Sequence, residues 1–177
     1  MAIIIAYPFV VLLIGVGLNL FVFGVSPLAL ALPSDASVSA LVIASVLLAI
    51  NHTWLMTTTE LTRVRYKLHA TPEEWAASGT NRQDAQSEGL VELERRHNAH
   101  RNTTENVVYF IFLAFIFALV SPTTLAAQVW IIGFAVARLG YTYSYLAGKD
   151  GARGLFMSLS LLAMYAMASY LVISLVA

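Results

Sequence analysis

The feature that most constrains the fold is a strongly polar run, residues 94–106, that continues into the uncharged apolar run Val107 to Val120 without a helix breaker between them. A helix that crosses the hydrocarbon core of a bilayer needs roughly 20 residues at about 1.5 Å each. The apolar run is shorter than this and stops before Ser121 and Pro122, so the span must begin near Arg101. Ionisable side chains at that depth are costly when unpaired and are functional candidates by default.

The rest of the chain predicts an integral membrane protein with only α-helices. Of its 177 residues, 59% are hydrophobic and 11% are charged. Four further apolar segments, residues 2–25, 38–59, 124–146 and 154–177, are each long enough to cross a bilayer. With the helix that follows Glu94, they predict five transmembrane helices. The first segment lacks a positively charged region before it, so we expect a retained helix rather than a signal peptide.

The charge distribution predicts the topology. All ten basic residues lie in or beside two connections, residues 60–100 and 147–153. Under the positive-inside rule both connections are cytoplasmic, which puts the N-terminus inside and the C-terminus outside. The net charge is zero and the acidic residues are intermixed with the basic ones, so a nucleic-acid partner is not indicated. The membrane is predicted to be a bacterial inner membrane rather than the endoplasmic reticulum.

Two of the predicted helices carry polar stripes at helical spacing, which places each stripe on one helix face. The first stripe is Asn98, Arg101, Asn102 and Glu105, and the second is Arg138, Tyr141, Thr142 and Tyr145. Further basic residues lie at the end of the second helix and the start of the fifth: Arg63, Arg65, Lys67 and Arg153. We expect these groups to share a cavity at one depth in the membrane.

Simpler interpretations exist for single residues. Arg101 and Glu105 could form an ion pair along one helix, Arg138 could extend to the surface, and the tyrosines could belong to an interfacial belt. That interpretation leaves Asn102 and the second stripe unexplained. The spacings Glu94-x-x-His97 and His97-x-x-His100 resemble metal-ligand pairs, but the second pair of a di-iron bundle is missing from the sequence, so no metal site is predicted. His52 is expected to form an interhelical hydrogen bond.

The chemistry of the polar groups indicates the ligand. Guanidinium groups suit carboxylates, a carboxylate with an amide suits an ammonium group, and phenol hydroxyls suit a thiolate. A small zwitterionic peptide with a net negative charge fits this set. The chain has no cysteine, so any thiol must come from a substrate. A mouth that faces the lipid would admit an apolar second substrate, which suggests conjugation or isomerisation of lipophiles.

Three ordered motifs carry a family resemblance. The pattern Glu-Arg-x-x-Arg-x-His-x-Asn-x-x-Glu stands at residues 94–105, with Asn98 in place of the second arginine. Residues 63–74 look like a basic helix end followed by a Thr-Pro-Glu loop, and residues 137–146 are similar to an Arg-x-x-His/Tyr-x-x-x-Tyr signature. Over about residues 40–177 the chain thus resembles the MAPEG family, the membrane-associated proteins of eicosanoid and glutathione metabolism.

The resemblance implies a MAPEG-like four-helix bundle at residues 38–177, with a cytoplasmic loop at about 60–93, assembled as a homotrimer that binds glutathione between subunits. Residues 1–37 then form an extra transmembrane helix and loop. By the same resemblance, Arg153 stabilises the glutathione thiolate. We expect Tyr145 or Tyr141 to donate a hydrogen bond to its sulfur, and we take Arg153 and Tyr145 as the catalytic residues. Cofactor-binding positions are then Arg63, Arg65, Arg101, Asn102, Glu105, Arg138 and Tyr141.

The leading functional hypothesis is a glutathione-dependent membrane transferase or peroxidase that acts on lipophilic electrophiles. The departure at Asn98 and the added N-terminal helix motivate an alternative: a non-catalytic structural or accessory subunit of a larger membrane complex. A transporter is disfavoured, because only one half of the predicted bundle carries polar stripes.

Overall fold

The computed structural model describes residues 2–177, and within that range helices form most of the chain. The helices are α1 (Ala2–Leu18, continued by a π-helical turn, Asn19–Phe23), α2 (Asp35–Tyr66), α3 (Pro72–Ser78), α4 (Ser87–Leu119), α5 (Thr124–Leu146) and α6 (Asp150–Val176). A second π-helical turn, Gln128–Ile132, lies within α5. All but α3 are long and apolar enough to cross a membrane, which confirms five candidate spans within the described residues.

The predicted helix bounds agree best where the sequence carries strong stop signals. The bounds of α5 are those predicted, and α4 ends before Ser121 and Pro122 as expected. In contrast, α2 starts before its apolar segment and continues past it, because charged residues interrupt hydropathy but not backbone hydrogen bonding. The Ser34 hydroxyl accepts a hydrogen bond from the backbone N–H of Ser37 at 3.2 Å and so caps the start of α2.

Helices α2, α4, α5 and α6 pack around a common apolar core. The rings of Phe110 and Phe134 stack at 4.0 Å, and those of Phe117 and Tyr170 meet edge to face at 5.0 Å. Small side chains let the helices approach closely, as is typical inside membranes. The buried alanines of this core are Ala40, Ala44, Ala114, Ala126, Ala127, Ala135, Ala163 and Ala166.

The turn from α5 to α6 is tight, and its conformation requires glycine. Gly148 has a φ of +67°, in the left-handed region where a side chain is strained. Its N–H donates to the carbonyl of Tyr145 at 3.2 Å, and the N–H of Lys149 donates to the carbonyl of Ser144 at 2.8 Å. This pair of bonds is the Schellman motif, which satisfies the last carbonyls of α5. The turn places the first residues of α6 directly beside the end of α5.

Helix α1 is attached to the bundle through a buried polar contact. The Asn19 side chain is fully buried and donates to the Ala166 carbonyl at 2.7 Å and to the Ser169 hydroxyl at 3.1 Å. Its oxygen accepts a hydrogen bond from the Trp130 indole at 3.1 Å. At Gly15, an added Cβ would lie 3.2 Å from the Ala166 backbone, so a glycine there permits the close approach of α1 and α6.

We predict that Asn19→Leu lowers the thermal midpoint of the detergent-purified protein. The change removes three hydrogen bonds and leaves the Trp130 indole N–H buried without its partner. Interhelical hydrogen bonds in membranes contribute about 0.6 kcal/mol each on average, so we expect a loss of about 2 kcal/mol.

Asn51→Leu is the matched control. Asn51 is equally buried, but its side-chain amide has no hydrogen-bond partner within residues 2–177. Replacing an unpartnered polar group by an apolar one is neutral or stabilising. Equal losses in the two variants would show that the Asn19 hydrogen bonds do not hold α1 in place.

Candidate functional site

The two polar stripes meet at Arg138, which has no exposed surface. Its Nη2 donates to the side-chain oxygen of Asn102 at 2.9 Å and to the Thr103 hydroxyl at 2.8 Å. Its Nη1 donates to the Met157 sulfur at 3.7 Å. The predicted proximity of the stripes is therefore found, but as direct contact between α4 and α5 rather than across an open cavity.

Arg138 begins a series of contacts that leads out of the core along α5. Its guanidinium lies 4.2 Å from the centre of the Tyr141 ring, and the ring centres of Tyr141 and Tyr145 are 5.6 Å apart. The Arg153 guanidinium, from α6, lies 5.0 Å from the centre of the Tyr145 ring. At such distances a cation over an aromatic face is attracted to the ring. We call Asn102, Arg138, Tyr141, Tyr145 and Arg153 the cation–aromatic chain.

The outer end of the cation–aromatic chain borders a cavity of about 400 Å³. Its lining combines basic, acidic, amide and phenol groups: Glu94, Arg95, Asn98, Tyr145, Asp150 and Arg153, with Val91 and Gly148. Arg153 is half-exposed there and forms an ion pair with Asp150 at 3.2 Å. Both residues predicted as catalytic, Arg153 and Tyr145, thus face the same space.

Sequence reasoning did not assign Glu94 and Arg95 to the site. Arg95 Nη1 donates to the Tyr145 carbonyl at 3.5 Å, and a Cβ at Gly148 would lie 3.2 Å from the same nitrogen. Glu94 lies four residues before Asn98, on the same face of α4. That spacing, within the motif of residues 94–105, is the signal that could have identified Glu94.

Four of the predicted site residues lie outside the cation–aromatic chain. Arg101 is exposed, and its Nη2 donates to the Asn98 side-chain oxygen at 2.7 Å. Glu105 is exposed on the same helix. Within one protomer these two side chains are not brought to Arg138, although they belong to the same sequence stripe as Asn102.

The two remaining residues, Arg63 and Arg65, lie near the end of α2. Arg63 forms an ion pair with Glu60 and lies 3.3 Å from the ring nitrogen of His97. It lines a second cavity of about 660 Å³, between α2 and the residues that connect it to α4. Arg65 is exposed, with its guanidinium 5.2 Å from the ring centre of Tyr66. The protomer therefore holds Arg63 and Arg153 in separate cavities.

The histidines have structural partners. The ring nitrogens of His52 and His100 are 3.2 Å apart, which confirms the predicted interhelical hydrogen bond of His52. Within residues 2–177, no group of three or more histidine, aspartate or glutamate side chains is placed to hold a metal ion.

Electrostatically, the two cations of the cation–aromatic chain differ: Arg153 is paired with Asp150, whereas Arg138 has no acidic partner among the described residues. Among the described residues, Arg138 has no ion pair with a carboxylate; neutral amide, hydroxyl and thioether groups and an aromatic ring surround it. Its charge is thus held by dipoles rather than neutralised. Arg95 and Arg153 are each paired with a carboxylate, Arg95 with Glu92 at 3.4 Å and Arg153 with Asp150 at 3.2 Å, so of these three cations only Arg138 has no carboxylate partner. A bound carboxylate or thiolate would compete with Glu92 and Asp150 for the other two.

Comparison with known proteins agrees with the motifs. Prostaglandin E synthase from Canis lupus familiaris is 32% identical over 120 residues, which cover 68% of this chain and 76% of the relative. The Homo sapiens protein is 31% identical over 113 residues (64% and 72%), and the Mus musculus protein is 31% identical over 124 residues (70% and 78%). The family model of the MAPEG family matches residues 41–173. The resemblance found in the sequence is thereby confirmed, and the chain belongs to the MAPEG family.

Proposed function

We propose that this membrane protein binds glutathione, activates its thiol and transfers it to lipophilic electrophiles or uses it to reduce lipophilic peroxides. The observation that carries the proposal is the cavity where Arg153, Tyr145 and Arg95 lie together at the outer end of the cation–aromatic chain. Membership of the MAPEG family, with prostaglandin E synthases among its relatives, supports the same class of activity.

The groups in the cavity fit the functional groups of glutathione. Arg95 and Arg153 can bind carboxylates, while Glu94 can bind the ammonium group of the γ-glutamyl end. A volume of about 400 Å³ falls within the usual range for small-molecule sites. Asn98 contributes an amide to this lining where the family motif has an arginine, so the protomer offers one cation fewer for the peptide.

The chemistry of this chain's residues follows from their charges. Arg153 would stabilise the negative thiolate over the neutral thiol, and the Tyr145 hydroxyl would donate a hydrogen bond to the sulfur. In conjugation, the sulfur forms a bond to an electrophilic carbon, the displaced group leaves with the bonding electron pair, and the thiol proton passes to solvent. In peroxide reduction, two thiols become one disulfide while the peroxide becomes an alcohol and water.

We propose Arg138 as a positioning residue. It is fully buried, so contact with a glutathione carboxylate would require it to move. In its observed place it holds the Asn102 amide on α4 and packs over the Tyr141 ring on α5. Asn102 and Tyr141 remain candidates for direct contact with the peptide.

We further propose a homotrimer in which neighbouring protomers complete each site. Arg101 and Glu105 are exposed although they belong to a membrane-spanning helix, where charges facing lipid are costly. Arg63 lies in a cavity separate from that of Arg153. A second copy of the chain would cover the exposed charges and bring its own Arg63 or Arg65 to this protomer's cavity.

Orientation and domain organisation form part of the proposal. Tyr7 donates to the Ser158 hydroxyl at 2.7 Å, so the start of α1 lies near the beginning of α6, at the same end of the bundle as Arg153. With the basic connections cytoplasmic, the N-terminus is also cytoplasmic and the C-terminus outside. Residues 38–177 would then form the catalytic bundle, in a bacterial inner membrane, with residues 1–37 as an added segment.

We predict a saturable thiolate absorbance in the ultraviolet when glutathione is added to the detergent-purified protein. Arg153→Ala is expected to lower that signal about tenfold, since one pKa unit corresponds to about 1.4 kcal/mol. Because Arg153 stabilises the reacting form, kcat should fall more than the affinity for glutathione.

Lys149→Ala is the matched control for this measurement. Lys149 has the same charge in the same turn, but its Nζ lies over the Tyr143 ring, and it does not line the cavity. Equal losses of kcat and glutathione affinity in Arg153→Ala would contradict the role assigned to Arg153. An equal loss of the thiolate absorbance in Arg153→Ala and Lys149→Ala would also contradict it.

We also predict that Asn98→Arg strengthens glutathione binding. Hydrogen bonds to charged groups contribute about 1.5 to 3 kcal/mol, so the dissociation constant should fall at least about tenfold. Asn98→Gln keeps the amide without adding charge and should not strengthen binding. Isothermal titration calorimetry of the three proteins gives the comparison, and equal affinities for Asn98→Arg and Asn98→Gln would show that this position does not face the bound peptide.

The homotrimer predicts a single species of three chains by native mass spectrometry after gentle detergent removal. A monomer that still produces thiolate would overturn the proposal of shared sites.

The alternative, an accessory subunit without catalysis, is favoured by one observation, the uncharged Asn98 in the cavity lining. It is distinguished by the same titration. Absence of glutathione binding together with copurification of a defined membrane partner would replace the enzyme proposal.

A further inference from the structure

An apolar groove lies between α1, α5 and α6, and its lining includes no residue of α2 or α4. It has a volume of about 490 Å³ and a lining composed of apolar side chains and glycine. Its walls are formed by Leu18 and Phe23 of α1; Val129, Trp130, Gly133, Val136 and Ala137 of α5; and Phe156, Leu159, Leu162 and Ala163 of α6. All three helices are candidate membrane spans, so the groove opens within the hydrocarbon layer.

We propose that this groove binds the hydrocarbon tail of the lipophilic second substrate. The inference rests on the proposed function and adds where the tail binds. It also gives the N-terminal helix a role in the reaction, because α1 forms one wall of the groove although it precedes the family-matched residues 41–173.

The position of the groove relative to the cation–aromatic chain supports this assignment. The end of the groove nearest the cation–aromatic chain is formed by Ala137, which precedes Arg138, and by Phe156. Phe156 follows Arg153 by three residues, about 4.5 Å along α6. A Cβ at Gly140 would overlap the Phe156 ring, so this ring packs directly on α5 one residue before Tyr141. The groove and the polar cavity share no lining residue: Phe156 is one turn of α6 from Arg153, and Ala137 is eight residues, about 12 Å along α5, from Tyr145. The reactive head of a lipid whose tail lies in the groove would extend past the Phe156 ring toward Arg153.

The shape of the groove fits a single chain rather than another helix. From Val129 to Ala137 it extends eight residues along α5, about 12 Å. An α-helix with its side chains is about 10 to 12 Å wide and would need a much longer face. At the centre of the groove, Gly133 presents no side chain, and a Cβ there would meet no atom within 4 Å. The space is therefore about 12 Å long, apolar, and open at its middle.

The opposite end of the groove, farther from Arg138, is formed by residues of both π-helical turns. Phe23 ends the first turn and Trp130 belongs to the second, and their rings meet edge to face at 5.0 Å. The Trp130 indole is fixed by its hydrogen bond to Asn19. Single π-helical turns occur frequently at functional sites. Here the two π-helical turns together form the far end of the groove. Trp130 lies eight residues, about two turns of α5, before Arg138.

Two electrophiles that differ only in tail length test the proposal. Crotonaldehyde and a long-chain enal have the same aldehyde and double bond. In each, the thiolate sulfur bonds to the β-carbon and a proton is added at the α-carbon, so the reaction needs no further reactant. Gly133→Leu fills the open middle of the groove. We expect it to lower the ratio of kcat/KM for the long enal to that for crotonaldehyde about tenfold.

Gly17→Leu is the matched control. Gly17 also has no atom within 4 Å of an added Cβ, but it does not line the groove. This variant should leave the ratio as in the wild type. An unchanged ratio in Gly133→Leu, or an equal change in both variants, would overturn the proposal.

If neither enal is consumed, the groove can still be tested by a binding measurement. Absence of turnover would count against the proposed function but not against the groove. In a protein with Trp54→Phe and Trp75→Phe, the fluorescence of Trp130 reports on the groove. Quenching by a brominated long-chain enal that is lost in Gly133→Leu supports the groove as the tail site. Absence of quenching overturns it, and so does quenching by a brominated phospholipid alone, which would assign the groove to a bilayer lipid.

Discussion

Burial of the Arg138 guanidinium inside the membrane-spanning bundle is the constraint on which the site depends. A charge at that depth is tolerated only when fixed polar groups replace water. Here the replacement comes from Asn102 and Thr103 on α4, the Tyr141 ring on α5 and the Met157 sulfur on α6. Three helices are therefore tied together at one point, and none can shift without exposing the charge to hydrocarbon. The same requirement fixes Tyr141, and through it the orientation of the outer part of the cation–aromatic chain.

A second buried polar group, Asn19, has the same structural effect at the opposite end of the bundle. It joins α1 to the carbonyl of Ala166 and to the Trp130 indole, again with a polar group satisfied inside an apolar region. The two anchors differ in what they hold. Arg138 sets the spacing of α4, α5 and α6 near the polar end, whereas Asn19 sets the position of an added helix and of the wall that closes the apolar groove.

Much of this arrangement was predictable from the sequence, because hydropathy and stop signals are local. The bounds of α5 and the end of α4 were predicted correctly. The proximity of the stripes that contain Asn102 and Arg138 was also predicted, but as a shared cavity rather than the direct hydrogen bond that is found. The separation of Arg63 from Arg153 was not, because it depends on the path of the connection after α2, which spacing along one helix does not determine. Asn19 was missed although a lone amide in an otherwise apolar span is the usual sign of an interhelical contact.

Helix α5 brings the two halves of the proposed chemistry together. One of its faces carries the cation–aromatic chain, and another lines the apolar groove. Ala137 and Arg138 are adjacent in sequence and so differ by about 100° around the helix axis. A rigid helix that presents both faces can hold a charged thiol and a hydrocarbon tail at a fixed separation, since neither face can move without the other. Selectivity for tail length and activation of the thiol would then be set by the same element, and the length of the accepted tail by where Trp130 closes the groove.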